Sequence, residues 1–549
     1  MSVSLSLGAK TKNKLVAMAF ALPVFFAIIT LSLNIWQSNK GFVMSDEGWA
    51  AFLLKFMPQI GITQYYMYFK NVFQGNIYAI RLTTVFMELL GSFMFSYGLF
   101  SFYKERLNLT LKGFFVIFSF SIFSMFGVLS NWIYYVSMTK FALFMATGFI
   151  LCGFAIDKQW KKNICNILSG LFLGTLFFIM PTTTPVILST AILLFFISER
   201  PVRLTNVSLL VSGVFISILI YFAFFESFSV YVEGFKKAVM ITVNDQFDDN
   251  HGLAGLFKWS KQTFLFFVYN ILIGALALYG IKFLLEYKKT LATTILFSLY
   301  CIMLLIIFMM RGPHGSSSTI PVFVIYLYLF LSKCTYNMRK HQFNEMCILA
   351  YIFTIPVFGS LGTDIVFEAR AIAYISFLLP VIYIMILEVE KKYKYIYYVL
   401  FLLLCATFFI HNLTGYARTN WGNIVYTKQT HSIQPITNQH LFLDKEKYNT
   451  LEMMRTLISA DDHVIINSVE LWGYAYLLET KPVSFNWVFN EEKVLQAIEE
   501  NKKEIQFLKC ICFNDNVFDP DFLENVKSKI TAHTIVKHEL SSITVYICQ

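Results

Sequence analysis

Two adjacent carboxylates, Asp46 and Glu47, stand in the segment Ser45-Asp46-Glu47-Gly48-Trp49. Carboxylates accept protons from hydroxyl groups and bind hard cations, so such a pair can serve catalysis. Ser and Asp are also favoured helix caps, and Ser45 or Asp46 can cap an amphipathic stretch over residues 49–57. Under both interpretations the pair lies about ten residues after the first long apolar segment.

Arg81 and Glu88 are candidates at the start of the second long apolar segment. A guanidinium at a membrane boundary binds two phosphate oxygens at once, although an ordinary interfacial arginine whose head group reaches water explains Arg81 equally well. Glu88 follows seven residues later and therefore on nearly the same helix face. An acid inside a membrane segment is costly unless it is paired or hydrated. Glu88 is thus a functional candidate, or an acid that reaches a cavity without a catalytic part.

Two loops are long, the first over residues 34–80 and the second over residues 226–262, and the second carries both cations and acids. Lys236 and Lys237 can meet a phosphate. The run Asp248-Asp249-Asn250-His251 offers a hard-cation site or a proton acceptor in Asp248, Asp249 and His251. A solvated charged loop explains the same residues, because loops are generally polar and exposed.

Two shorter loops complete the set of candidates. Arg311 and His314 stand in the compact basic segment Arg311-Gly312-Pro313-His314-Gly315. Asp364 and Arg370 belong to a glycine-rich turn that leads into a helix, where backbone amides can bind an anion. A simple turn with an aspartate cap explains the second loop equally well.

Composition places these residues in a membrane protein. The chain is 57% hydrophobic and only 14% charged, far below the roughly one-quarter charged of soluble domains. Residues 412–549 hold 13 basic and 17 acidic residues, so the remaining 31 basic and 17 acidic residues lie in 1–411. The positive charge belongs to the apolar part of the chain, and a nucleic-acid partner is therefore not indicated.

Thirteen apolar runs approach the about twenty residues that cross a bilayer core. Two prolines in Met180-Pro181-Thr182-Thr183-Thr184-Pro185 predict a break between the fifth and sixth runs. The runs lie at 15–35, 81–103, 113–130, 135–156, 164–180, 185–198, 207–225, 263–285, 291–310, 320–332, 345–360, 370–388 and 395–411.

The charge distribution predicts an orientation. If the N-terminus is cytoplasmic, the loops and helix ends on that side hold 20 of the 31 basic residues. The positive-inside rule then places the acid pair, Arg81 and the C-terminal tail outside a bacterial-type inner membrane. The first run follows three lysines without a cleavage pattern, and we interpret it as an uncleaved signal anchor.

After residue 411 short strands alternate with helices, which predicts a small α/β domain over 412–549 beside a transmembrane domain over 1–411. Strands are expected at 463–467, 483–487 and 505–513, with a closing hairpin at 534–537 and 543–548. Helices are expected at 469–478, 491–504 and 521–530. Cys510 or Cys512 can pair with Cys548, but three cysteines leave the pairing open, and a metal site is not indicated by their spacing.

The order of features in residues 45–82 resembles the start of the GT-C superfamily, which includes protein O-mannosyltransferases and lipid A aminoarabinose transferases. The acid pair is followed by an amphipathic helix, by Tyr65-Tyr66-Met67-Tyr68-Phe69, and by Gly75-Asn76-Ile77-Tyr78-Ala79-Ile80-Arg81-Leu82. The thirteen helices and outer α/β domain are similar to the aminoarabinose transferases in layout. The resemblance implies a polytopic helical fold and an inverting glycosyltransferase.

In such an enzyme a polyprenyl-phosphate-linked sugar is the donor, and a glycan, lipid or protein is the acceptor. The resemblance implies that Asp46 accepts the proton of the attacking hydroxyl, while Glu47 orients it or helps to hold a divalent cation. Arg81, Arg311, Lys236 and Lys237 are the expected contacts of the donor phosphate. Relatives often have a tyrosine in the loop of Arg311, and this chain has none there, which puts that role in doubt.

Other functions remain as alternatives. A transporter or flippase of lipid-linked glycans predicts charges along several helices and an internal repeat, neither of which stands out here. An O-antigen polymerase or ligase seldom ends in an α/β domain, and a scaffold with a decayed site is a further alternative. Phosphate-loop, zinc-protease and serine-hydrolase motifs are missing from the sequence.

Overall fold

The structure is a computed structural model, and it divides by its contacts into two compact units. The helical unit lies within residues 1–35, 84–129 and 133–414, and the α/β unit within 36–83, 130–132 and 415–549. The residues that the structure describes are 9–42, 44, 46–56, 68–69, 76–123, 135–198, 203–244, 260–261, 264–265, 267–272, 274–275, 278, 320–336, 343–359, 371–389, 398, 401–406, 409, 426–433, 441–460, 462–483, 489–505, 507–530, 534–540 and 542–548.

In the apolar part of the chain the described residues form twelve α-helices. They are α1 (Ala9–Gln37), α2 (Asp46–Phe56), α3 (Ile77–Leu107), α4 (Leu111–Phe123), α5 (Tyr135–Ala155), α6 (Gln159–Ile179), α7 (Thr183–Ser198), α8 (Arg203–Phe224), α9 (Phe228–Asn244), α10 (Ile320–Tyr336), α11 (Phe343–Phe358) and α12 (Ile375–Glu388).

Among the described residues, five helices are long and apolar enough to cross a membrane, which agrees with the predicted membrane class. The break predicted at the two prolines is confirmed, because α6 ends at Ile179 and α7 begins at Thr183. The predicted runs 263–285, 291–310 and 395–411 lie largely outside the described residues. The total of thirteen spans stays a prediction.

Small residues allow α6 to approach α8 closely. A side chain at Gly170 would lie 1.9 Å from the carbonyl oxygen of Leu210, and one at Gly174 would lie 2.6 Å from Ser217. Beside them, the amide of Asn166 donates a 2.9 Å hydrogen bond to Asn206. Membrane helices associate through such small-residue contacts and interhelical hydrogen bonds, because apolar side chains gain little by leaving lipid.

Four alternating charges join the ends of four helices in the helical unit. Arg106 of α3 and Lys333 of α10 each form ion pairs with Glu345 of α11 and with Glu388 of α12. Each carboxylate therefore has two cations, and each cation has two carboxylates. We call these residues the charge ring. Pairing of this kind offsets the cost of holding charges away from bulk water.

The α/β unit contains a five-stranded sheet. Its order is β4-β3-β5-β7-β6, with β3 parallel to β4 and β5 and with β7 antiparallel to β5 and β6. A separate antiparallel pair precedes it, β1 (His431–Ile433) and β2 (Leu441–Leu443). The sheet strands are β3 (His463–Ile466), β4 (Lys481–Pro482), β5 (Leu508–Phe513), β6 (Ile535–Glu539) and β7 (Ile543–Cys548).

Four helices of this unit are α13 (Lys445–Arg455), α14 (Trp472–Leu477), α15 (Glu491–Asn501) and α16 (Pro520–Ile530). The predicted alternation of strands and helices from 463 onward is confirmed, including the closing hairpin. The strand expected at 483–487 begins earlier, at Lys481, and residues 484–488 lie outside the described part. The β1–β2 pair and α13 are elements that the sequence patterns did not indicate.

The helices pack on both faces of the sheet. Residues Val494 and Ile498 of α15 and Phe522 of α16 form one core with β5. The connections β3 to β4 and β4 to β5 run in opposite directions across the sheet. Because such crossovers are right-handed, they place α14 and α15 on opposite faces.

Cys510 and Cys548 lie on the adjacent strands β5 and β7 with free thiols. The Cys510 thiol donates a hydrogen bond to the Cys548 thiol. This bond and burial raise the pKa of Cys510, whereas the same bond lowers the pKa of Cys548. Cys512 has a free, buried thiol whose pKa burial also raises. Where the sequence left the cysteine pairing open, the structure has a hydrogen bond between the free thiols of Cys510 and Cys548.

Part of the first loop belongs to the α/β unit. The backbone N–H of Gly41 donates to the carbonyl oxygen of Phe442 at 2.7 Å, and the N–H of Phe442 donates to Asn39 at 3.0 Å. The ammonium group of Lys40 lies 3.8 Å from the centre of the Phe442 ring. Residues 39–41 therefore continue the β1–β2 sheet beside β2. Gly41 then turns the chain with a φ of 67°, a conformation that favours glycine.

Helix α2 crosses α14 at a pair of glycines. A Cβ atom on Gly48 would lie 2.4 Å from the Cα of Gly473, and the Gly473 N–H donates to the Met44 carbonyl at 2.7 Å. One turn along, the rings of Phe52 and Trp472 meet edge to face with centroids 5.4 Å apart. Only glycine allows the two backbones to come this close.

We expect Gly48→Ala to destabilise the α/β unit by about 1–3 kcal/mol, because the new methyl group overlaps the backbone of α14. Thermal unfolding of the full-length protein in detergent measures the effect. Gly113→Ala on α4 is the matched control, since its nearest neighbour is a Leu109 side-chain carbon at 3.4 Å. Equal unfolding temperatures for Gly48→Ala and Gly113→Ala would contradict the close crossing of α2 and α14.

His463, the first residue of β3, gives the α/β unit a dependence on pH. Burial and the neighbouring Lys481 cation lower the pKa of His463, so the folded protein favours the neutral imidazole. As the pH falls below the ordinary value of about 6.5, the unfolded chain takes up this proton more readily and stability declines. We expect His463→Gln to reduce the loss of unfolding temperature between pH 7.5 and 5.5. His538→Gln on β6 is the control, and an identical loss in both variants would argue against this role.

Candidate active site

Glu47 and Arg81 form a buried, two-point ion pair. The Arg81 Nε donates to Glu47 Oε1 at 2.7 Å, and its Nη2 donates to Glu47 Oε2 at 2.7 Å. Their side chains are 1% and 4% exposed. The fork of the guanidinium matches the carboxylate, which fixes the direction of both side chains as well as their separation.

Three backbone carbonyls complete the surroundings of Arg81. Its Nη1 donates to Ser38 at 3.1 Å and to Lys40 at 3.2 Å, and its Nη2 donates to Gly41 at 2.9 Å. With the two bonds to Glu47, all five N–H groups of the guanidinium have an acceptor. We call this arrangement the arginine clamp. It ties the 38–41 turn, the first turn of α2 and the start of α3 to one side chain.

The clamp determines where the predicted catalytic acid stands. Helix α2 begins at Asp46, so Asp46 and Glu47 occupy its first turn, where the helix dipole favours negative charge. The side chain of Asp46 lies outside the described part of the structure. Because Glu47 is its neighbour in the chain, the clamp fixes the backbone that carries Asp46.

Tyr476 of α14 belongs to the same surroundings. It is buried, and its ring lies 6.0 Å from that of Phe42. Burial raises the pKa of Tyr476, and the carboxylates of Glu479 and Glu47 raise it further. Its phenol therefore stays protonated at neutral pH and faces an acid-rich environment.

The geometry bears on the role proposed for Glu47. Both oxygens of Glu47 accept hydrogen bonds from Arg81, which suits an orienting residue. A phosphate at Arg81 would have to displace one of its five acceptors. Within the described residues, no three His, Cys, Asp or Glu side chains converge as a metal site. Catalysis by Asp46 and phosphate binding by Arg81 stay predictions.

Glu88 lies in the helical unit and pairs with a residue that the sequence analysis missed. Its Oε1 is 2.7 Å from the Lys140 ammonium nitrogen, and both side chains are buried. Lys140 is a lone cation in the apolar run 135–156, which was the available signal, since such a charge inside a membrane requires a partner. The pairing offsets the cost of burying both charges, and the functional role of Glu88 stays a prediction.

The other candidates are scattered or undescribed. Lys236 is exposed on α9, and Lys237 is on the same helix with its side chain outside the described part. The remaining candidates also lie outside the described residues, and they are Asp248, Asp249, His251, Arg311, His314, Asp364 and Arg370. Their predicted roles stay predictions.

Comparison with solved structures gives several matches, which include two structures of one protein. These two are crystal structures of ArnT from Cupriavidus metallidurans, one bound to undecaprenyl phosphate and one in the apo state. The bound form is 8% identical with a TM-score of 0.47, covering 95% of this chain and 97% of that chain. The apo form is 9% identical with a TM-score of 0.47, covering 98% of each chain.

No family model matches the chain, and no curated protein matches it. An identity of 8–9% assigns neither activity nor substrate. The function must therefore be inferred from the residues of this chain.

Removing one partner of the clamp should cost about 3–5 kcal/mol, because the other charge is left buried and unpaired. We expect Arg81→Met and Glu47→Gln each to lower the unfolding midpoint strongly in detergent. The double variant should lose less than the sum of the two, since neither charge is then left alone.

Lys527→Met is the control for this series. Lys527 and Glu524 form an exposed pair 3.5 Å apart on α16, and exposed pairs contribute about 0–1 kcal/mol. Losses in Arg81→Met no larger than in Lys527→Met, or strictly additive losses in the double variant, would show that the clamp does not hold the unit together.

Proposed function

We propose that this chain is a GT-C-like membrane glycosyltransferase. It transfers a monosaccharide from a polyprenyl-phosphate donor to an extracytoplasmic acceptor, which is an envelope glycan, a lipid such as lipid A, or a protein. The arginine clamp is the observation that carries the proposal. It sets an acid pair at the start of a short helix and fixes that helix on a folded α/β unit.

A fixed acid suits this reaction. The acceptor hydroxyl attacks the anomeric carbon, the C–O bond to the phosphate breaks, and the lipid phosphate leaves with the bonding electrons. The acceptor proton passes to a base, for which we assign Asp46. Glu47 cannot move independently of Arg81, and its role is to hold the backbone of Asp46 in place.

The membrane layout supports the same function. The donor lipid needs access from the bilayer, and five apolar helices of spanning length supply a membrane body among the described residues. With a cytoplasmic N-terminus, as the basic loops predict, the acid pair and the α/β unit face the outer side, where a carrier-borne sugar is used. Inversion at the anomeric carbon follows from a single displacement.

A transfer assay tests the proposal directly. Purified protein is incubated with radiolabelled polyprenyl-phosphate sugars and a membrane extract as acceptor, with and without EDTA. We expect labelled product from the wild type and a loss of about 10²–10⁴-fold in Asp46→Asn, the range that a general base contributes. The EDTA arm decides whether a divalent cation takes part.

Glu524→Gln is the matched control, since Glu524 is an exposed acid on α16. It should retain wild-type activity. Full activity in Asp46→Asn would overturn the assignment of the base. If labelled lipid changed leaflet without any sugar transfer, the chain would be a flippase and the proposal would be wrong.

A further inference from the structure

The sheet of the α/β unit contains a point where the strand order reverses. From β3 the chain continues to β4 on one side, and from β4 it crosses back to β5 on the other side of β3. At such a switch point the segments that follow the two central strands lead to helices on opposite faces of the sheet, and a crevice lies outside the carboxyl ends of the strands. Open α/β sheets bind ligands in this crevice.

Polar side chains cluster in the two loops that border the crevice. Neither loop contains a lysine or an arginine. After β3 and β5 the chain presents three amides, one hydroxyl and three carboxylates, namely Asn467, Ser468, Glu470, Asn514, Asp515, Asn516 and Asp519. Amide, hydroxyl and carboxylate groups without a cation suit neutral ligands with many hydroxyl groups, and they disfavour a phosphate.

Hydrogen bonds hold the two loops together. The Asn467 amide nitrogen donates to the Asn516 carbonyl at 2.5 Å, which joins the loops directly. The Asn514 side chain accepts from Thr544 at 2.7 Å and donates to Leu540 at 3.1 Å. The border of the crevice is therefore built into the fold.

One polar atom at this border lacks a protein partner. The side-chain oxygen of Asn467 is buried, and within the described residues it accepts no hydrogen bond. A buried acceptor without a donor costs free energy unless a ligand or water supplies one. Val517, in the loop after β5, is 49% exposed and offers an apolar surface to the carbon face of a sugar ring.

The crevice is close in the chain to the candidate active site. The loop after β3 continues through the turn Val469–Leu471 into α14, and α14 packs on α2 through Trp472 and Gly473. Both contacts fall within the α/β unit. A ligand in the crevice is thus separated from the helix of Asp46 and Glu47 by one short helix.

From these observations we infer that the β3–β5 crevice is a carbohydrate-binding subsite for the glycan part of the acceptor. That the bound glycan is the acceptor rests on the proposed function, whereas glycan binding at the crevice does not depend on it. Asn467 and Asp515 are the residues that we assign to hydroxyl contacts. Each lost contact should weaken binding by about tenfold.

Binding is measured by fluorescence anisotropy on the full-length protein in lipid nanodiscs. The probes are labelled trisaccharides of glucose, mannose and N-acetylglucosamine, and the labelled oligosaccharide fraction released by mild acid from the host envelope. The test variant is Asn467→Ala with Asp515→Ala. Asn501→Ala is the matched control, because Asn501 is an exposed amide at the end of α15, which precedes the amino end of β5 in the chain.

We expect at least one probe to bind the wild type and Asn501→Ala saturably, and to bind the test variant at least tenfold more weakly. Unfolding midpoints of the variants confirm that the unit remains folded. The inference is overturned if no probe binds the wild type, or if the test variant binds as well as the control.

The transfer assay separates this inference from the proposed function. Where transfer occurs, the test variant should raise the acceptor KM at least tenfold and leave release of sugar to water unchanged. Transfer with an unaltered acceptor KM and unaltered glycan binding would reject the subsite alone. Saturable glycan binding at the crevice without any transfer by the wild type would reject the glycosyltransferase and keep the subsite.

Discussion

A buried guanidinium must satisfy five N–H groups and one charge, and this requirement organises the α/β unit. Arg81 meets it with a single carboxylate and three carbonyls that come from one short stretch of chain. Because those carbonyls face the guanidinium, the 38–41 turn has its strand-like course beside β2. Because the carboxylate belongs to Glu47, α2 starts where it does and can cross α14 at the glycine pair.

The arginine clamp engages Glu47, the second of the two adjacent acids. The Glu47 carboxylate pairs with Arg81 through both oxygens, and Asp46 occupies the first position of the same helix. Both acids stand in the first turn of α2, and in the proposed reaction Glu47 anchors that turn while Asp46 accepts the proton.

Local patterns predicted much of this molecule, and long-range contacts account for the rest. Apolar length identified the spanning helices, prolines marked the α6–α7 break, and alternation identified β3, β5 and the final hairpin. Asp46, Glu47 and Arg81 stood out by type and position. The pairing of Arg81 with Glu47 did not, because residues 34 positions apart leave no periodic signal. Lys140 was overlooked although a lone cation in an apolar run is a signal, because its partner Glu88 is distant in the sequence. The strands β1 and β2 are too short to show a period.

The charge ring bears on how the helical unit is made. Arg106 and Glu345 are 239 residues apart in the chain, and Glu388 comes later still. During synthesis Arg106 enters the membrane region long before either carboxylate exists, and Lys333 also precedes both. Both cations of the ring are therefore synthesised before their carboxylate partners, which belong to α11 and α12. The order of translation makes the end of α12 the last piece of the ring, so a chain that stops before residue 388 leaves the two cations with at most one of their two carboxylates.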